Sequence, residues 1–172
     1  QLLGKMIYDP YKTESDLLEL PGLCLIDTTT TFDKEKITTQ VTGTIVKDEG
    51  LLEGCLGEEF YGYEIHMGTT EFGTEKVNPF LINHRFGKEI EAIDGVINSK
   101  GKVMGTYIHG IFDADSLRRK ILNNLRKEKG WEEIKETTIN YNLEKEKAFN
   151  ELADVVRSSF DMEKVYKIMG LK

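Results

Sequence analysis

The sequence predicts an α/β chain, in which a β-rich middle is followed by helices. Three observations carry this. Residues 37 to 46 are rich in Thr, Val and Ile, as strands are. Residues 61 to 68 alternate with period two. The last third carries apolar residues at helical spacing.

Taken in order, Gln1-Leu2-Leu3-Gly4-Lys5-Met6-Ile7-Tyr8 has apolar spacing that predicts the end of a helix, with neither an initiator Met nor a capping residue before it. Asp9-Pro10 follows as a turn. Gly22 to Ile26 and Ile37 to Val46 then read as strands. Between 61 and 68, Tyr61, Tyr63, Ile65 and Met67 fall on one face. Gly62, Glu64, His66 and Gly68 fall on the other, so Glu64 and His66 are neighbours on the non-apolar side. Phe80-Leu81-Ile82 is a short apolar run. Ile90 to Ile97 and Lys102 to Ile108 flank Asn98-Ser99-Lys100-Gly101, a good hairpin turn.

Leu117, Ile121, Leu122 and Leu125 form one helical stripe, begun by Asp113 and Asp115 and stopped at Gly130. Phe149, Leu152, Ala153, Val156 and Phe160 form a second. Met162, Val165, Tyr166 and Met169 form a third behind Asp161 as N-cap. These aromatic and Met positions are expected in the core. Residues 127 to 147 are charge-rich, either a solvated helix face or a linker, so 127–172 is expected to be a charged, mainly helical extension packed on 1–126.

Composition narrows the function. A net charge of −7 with both signs interspersed argues against nucleic-acid and anionic-membrane partners, which call for a basic stripe. No apolar run approaches the roughly 20 residues of a membrane span, and no basic-then-apolar leader opens the chain. A cytoplasmic location is expected. Two cysteines, Cys24 and Cys55, are too few for a disulfide scaffold. Cys24 stands in an apolar run, where a buried thiol is inert, and Cys55 in a Gly-bounded loop without basic neighbours in sequence to lower its pKa.

The chemistry-bearing candidate is His109, one of three histidines, in Gly105-Thr106-Tyr107-Ile108-His109-Gly110-Ile111-Phe112. Alternation makes Val103, Gly105, Tyr107 and His109 the inward set. A strand end feeding a glycine holds a reactive group rigidly and leaves it accessible. The sequence has no Gly-x-Ser-x-Gly elbow and no phosphate-cradling Gly-x-x-x-x-Gly-Lys-Ser/Thr loop. His66, His84 and His109 match no common zinc spacing, so no metal is expected.

Three segments, Gln1-Leu2-Leu3-Gly4, Gly62-Tyr63-Glu64-Ile65-His66-Met67-Gly68 and Gly105 to Asp113, resemble the glutamine amidotransferase domains of the cobyric acid synthase family. Thr39-Gln40-Val41-Thr42-Gly43 is similar to the family at the matching place, and the likeness runs in order through most of residues 1 to 126. The resemblance implies a class I glutamine amidotransferase-like fold, a flavodoxin-like three-layer α/β domain. It also implies a cysteine at a strand-to-helix elbow that attacks the amide of glutamine. The ammonia released would pass to an ATP- and Mg-using synthetase domain of the same polypeptide, which amidates the b, d, e and g carboxylates of adenosylcobyrinic acid a,c-diamide. No cofactor is expected in this chain itself, and the corrinoid would be met through the synthetase domain.

By the same resemblance His109 matches the catalytic histidine and Gln1 a glutamine-holding residue after the nucleophile. The nucleophile itself would lie four positions upstream of Gln1, so the isolated chain is expected to be inactive and to self-associate. Many class I amidotransferases place a glutamate two residues after the histidine. Ile111 stands there, as in the cobyric acid synthase branch. Glu64 and His66 are candidates to position His109 or the substrate, or else pair with each other or with backbone. The rivals are an amidotransferase of the cobyrinic acid a,c-diamide synthase or lipid II type, a non-catalytic module on the same scaffold, and a metal-binding protein.

Overall fold

The structure is a computed structural model that describes residues 1–74, 77–135 and 140–171. Two compact units divide the chain, Gln1–Glu136 and Thr137–Lys172.

The first unit is built around one long strand. In chain order its strands are β1 (Met6–Tyr8), β2 (Glu19–Pro21), β3 (Thr28–Ile45), β4 (Glu59–Phe72), β5 (Phe80–Arg85), β6 (Lys88–Asp94), β7 (Val96–Ile97), β8 (Met104–Gly105) and β9 (Ile108–His109), followed by helix α1 (Asp115–Glu128). β3 pairs β4 antiparallel along one edge. Its other edge takes β1 in parallel at Thr29–Thr31 and β5 antiparallel at Val41–Ile45. The result is a mixed seven-stranded sheet, with β2 and β9 at the two ends of its main path. β7 and β8 form a separate hairpin across the Asn98–Gly101 turn, as the turn residues predict.

Alternation buries Thr39, Val41 and Ile45 of β3 together with Phe60, Phe80 and Ile82, and Leu117 and Ile121 of α1 join the same core. Phe60 and Phe80 meet edge to face, centroids 5.7 Å apart, so truncating either to alanine is expected to cost about 3–5 kcal/mol. Leu122 and Leu125, placed in the same predicted stripe, are 43% and 40% exposed. The helix stops where expected, with Gly130 at φ 69°.

Two expectations at the start of the chain fail. Residues 1–5 form a turn, the Gly4 N–H donating to the Gln1 carbonyl at 3.0 Å, and Met6–Tyr8 is a strand because ladder hydrogen bonds to β3 override the apolar spacing. Residues 22–26 are no strand either. Their N–H groups bond the carbonyls of Leu2, Leu3, Gly4 and Lys5, a strap that puts Cys24 at φ 54° with its thiol exposed rather than buried.

The second unit contains α2 (Tyr141–Ser159) and α3 (Met162–Ile168). Asn140 caps α2 by accepting from the Leu143 N–H, and Asp161 caps α3 by accepting from the Lys164 N–H, both at 3.1 Å. The expectation that their apolar stripes are core is not met: no residue of either helix is buried, and Phe149, Leu152 and Phe160 are more than half exposed. Period alone shows that a helix has an apolar face, not that something covers it. No helix among the described residues is long and apolar enough to cross a membrane.

Candidate functional site

β4 and β9 carry most of the candidate residues. Tyr63 pairs with His109 and Glu64 with Ile108, so His109 shares a face with Tyr63 and the preceding residue, Ile108, shares one with Glu64. The face that is buried is the opposite of the inward set expected from alternation. Ile108 is in the core, and His109 is exposed. The reason is a break between β8 and β9, where the Thr106 hydroxyl accepts the Ile108 N–H at 3.0 Å and the bend resets the phase.

β4 inverts intuition in the same way. The tyrosines of the apolar face, Tyr61 and Tyr63, are exposed, whereas Glu64 is buried beside Ile108. Burial of a carboxylate requires compensation. Arg85 supplies it as a fork, Nε to Oε2 at 2.7 Å and Nη2 to Oε1 at 2.8 Å, and His66 Nε2 donates to Oε1 at 3.2 Å. His66 Nδ1 faces the Gly68 carbonyl at 3.1 Å. Both partners of the ring are acceptors, an arrangement that favours protons on both nitrogens, the imidazolium form.

The electrostatics agree. The bond to Glu64 raises the His66 pKa above its ordinary value, against the opposing effect of burial, with the Gly68 carbonyl and the charges of Glu64 and Asp94 assisting. Burial pushes the Glu64 carboxyl up, but hydrogen bonds from His66 and Arg85 outweigh it and hold the group below the usual range. Asp94 goes the other way. Its pKa is raised by burial, only partly offset by bonds from the Thr106 hydroxyl and the Tyr107 and Gly95 N–H groups.

Tyr107 stands at the centre of this arrangement. Its ring lies 4.8 Å from that of His66, its hydroxyl bonds Thr70, which in turn bonds Thr30 at 2.8 Å, its N–H reaches Asp94 Oδ2 at 3.2 Å, and its carbonyl accepts from Ile65 N–H at 3.0 Å. On the far side of His109, Gly110 is left-handed at φ 78°, Ile111 is buried, and the Tyr61 hydroxyl donates to the Asp113 carbonyl at 2.7 Å.

Among the sequence candidates, the structure brings Gln1 and His66 to one open cavity of about 240 Å³, shared with Glu14 and Lys36. It pairs Glu64 with His66. Among the described residues no hydrogen bond joins either of them to His109, which lies across the sheet. His84 is elsewhere, its Nδ1 3.3 Å from the Thr42 hydroxyl. Cys55 is fully buried, and burial pushes its thiol up to about 11 although Lys120, distant in sequence, sits close enough to oppose the shift. It is no thiolate at neutral pH. Arg85 and Asp94 are not singled out from sequence, and Tyr63 and Tyr107 only through alternation and as parts of motifs. Arg85 carries no local signal, because its partner is 21 residues away.

The first unit is thus an α/β domain that presents one exposed histidine at a strand end. The chain belongs to the CobB/CobQ-like glutamine amidotransferase domain family, whose model matches residues 1–117, and its mixed sheet with helices is of the class I amidotransferase-like kind. It is 49% identical over 173 residues to a cobyric acid synthase of Clostridium botulinum strain 657, covering 100% of this chain and 33% of that protein. A cobyric acid synthase of Dehalococcoides mccartyi strain 195 is 50% identical over 170 residues, covering 99% and 33%. The chain thus spans about a third of the length of these curated relatives.

Proposed function

We propose that this chain is the amidotransferase portion of a cobyric acid synthase, releasing ammonia from glutamine for ATP-dependent amidation of the b, d, e and g carboxylates of adenosylcobyrinic acid a,c-diamide. The observation that carries the proposal is His109, exposed at the end of β9 between a pinned Tyr107 and a buried Ile111. The identity with cobyric acid synthases across the whole chain supports the choice of acceptor.

An unactivated carboxamide is a poor electrophile, so its hydrolysis needs a thiolate, a histidine to carry the proton to departing ammonia, and oxyanion donors. His109 takes the histidine role. Of the two thiols, Cys55 is buried and held protonated, which removes it from the thiolate role. By the resemblance to the family, the nucleophile lies in sequence preceding Gln1, and Gln1 helps to hold substrate glutamine beside it. ATP and Mg are used by a synthetase domain of the same polypeptide, through which the corrinoid is met, in the cytoplasm.

The test is a complete synthetase polypeptide carrying this domain. His109→Ala is expected to abolish amidation supported by glutamine and to spare amidation supported by free ammonia. Retention of the glutamine-dependent rate would refute the assignment. The 172-residue chain alone is expected to release no ammonia from glutamine, and release that survives alkylation of Cys24 and Cys55 would refute the upstream nucleophile.

A further inference from the structure

β9 is only two residues long and lies at the end of the sheet path. So short an edge strand cannot set its own register through main-chain bonds, and a slip of one residue would turn His109 into the core and Ile108 out of it. Something else must fix it. Ile108 contributes by burial and through its N–H bond to the Thr106 hydroxyl, and the preceding residue, Tyr107, is anchored four ways, through its ring, hydroxyl, N–H and carbonyl.

We propose that the Arg85–Glu64–His66 chain is a positioning device for His109 that acts through the Tyr107 ring, resting on the reading of His109 as the catalytic histidine. The geometry gives the order of action. Arg85 grips both carboxylate oxygens of Glu64, which is 5% exposed, and leaves Oε1 aimed at His66. Glu64 and the Gly68 carbonyl then hold the imidazole by both nitrogens, which fixes the plane of the ring and not merely its place. That ring is the platform against which Tyr107 lies, tilted by 34°. Two residues further on is His109, free in solvent on the other face of the sheet. The Glu-x-His pair therefore serves the histidine without touching it, by holding the strand that presents it.

A merely structural network would loosen the whole unit when broken, whereas a positioning device loosens β9. Amide hydrogen exchange on the 172-residue chain separates these. His66→Ala is expected to speed exchange of the Ile65, Tyr107 and Ile108 amides by about tenfold or more beyond any change at the Ile45 and Ile97 amides. Tyr107→Leu, which leaves Arg85, Glu64 and His66 in place, is expected to give the same local pattern, and the double variant less than the sum of the two. Unchanged exchange at β9, or a uniform rise across the core, would overturn the proposal. Should His66→Ala fail to fold, the milder His66→Gln is read in the same way beside Tyr107→Leu.

In the complete polypeptide His66→Ala is expected to lower kcat with glutamine about tenfold or more, with KM for glutamine within about threefold and the ammonia-dependent rate unchanged. An altered KM with unchanged kcat would place His66 in substrate binding and overturn the proposal. His109→Ala is run beside it. If that variant keeps full glutamine-dependent activity, the catalytic reading of His109 fails, while the exchange data still judge whether the network holds β9.

Discussion

The backbone carbonyl of His109 packs against Gly62 so closely that a Cβ on Gly62 would overlap it. The first glycine of Gly62-Tyr63-Glu64-Ile65-His66-Met67-Gly68 thus admits the strand that bears His109. The last, at φ 83°, similarly admits the Thr31 carbonyl where β3 bulges between Thr31 and Lys36. The motif's two glycines are places where another backbone comes near.

Gly62→Ala is accordingly expected to push β9 away from β4, at a cost of about 1–3 kcal/mol as for other overpacked sites. Urea unfolding measures the loss, and the His109 ring signals should shift while those of His84 stay. Unchanged stability and His109 signals would show that β9 does not sit where described.

Breaking the buried pair should be costly. Glu64→Gln removes the charge that compensates Arg85 and His66, and a loss of about 2–4 kcal/mol is expected, less than for a fully buried pair because Arg85 is 38% exposed. Denaturant titration reads it. A change below about 0.5 kcal/mol would mean that the three side chains are not coupled as the distances indicate.

The same groups give stability two pH limits. Glu64 has a lowered pKa, so its contribution is present above the ordinary 4.5 and is lost as pH falls through the folded value. His66 has a raised pKa, so its contribution is complete below 6.5 and is lost as pH rises through the folded value. Glu64, Asp94, Tyr107 and the Gly68 carbonyl face the ring, and all favour its cation or tolerate it. The alkaline fall should begin above pH 6.5 and flatten in His66→Gln, with thermal melts across pH as the measurement.

Asp9 organises the loop between β1 and β2. Burial would raise its pKa, yet the Glu14, Thr13 and Ser15 N–H groups and the Thr13 hydroxyl bring it down to about 2. A lowered carboxyl contributes above 3.8 and loses its effect as pH falls through about 2. Asp9→Ala is expected to speed amide exchange at Thr13, Glu14 and Ser15 about tenfold or more, leaving β4 unaffected. Equal protection with and without the carboxylate would dismiss the role.

The thiols should separate kinetically. Cys24 is exposed and Cys55 is fully buried with its thiol raised to about 11, so a disulfide reagent at neutral pH should titrate one equivalent quickly and the second only on unfolding. Two fast equivalents would contradict the burial of Cys55.

Leu17, Leu18, Leu20, Leu23 and Leu25 are 43–59% exposed around β2, whose outer edge is unpaired among the described residues. Such an apolar edge favours pairing with a second copy. The chain is expected to grow in mass with concentration by light scattering, and Leu20→Lys to reduce this. A constant monomer mass would count against it.

Much of this was legible in order and spacing alone. The helix caps at Asp161 and Gly130, the hairpin at 98–101 and the proximity of Glu64 to His66 follow from local residue chemistry, because each depends on neighbours within a few positions, and the family is legible as a resemblance carried by three motifs. Period two in β4 and β9 revealed two faces, but it carries no sign. Which face is buried depended on α1 and the Phe60–Phe80 core covering one side, and that put Glu64 inside and His109 out. The bend at Thr106, the Arg85 fork from another hairpin and the closeness of Gly62 to His109 are long-range facts of packing. They turn a histidine recognisable by its motif into one held by Tyr107, since the groups that do the holding meet only when the sheet is assembled.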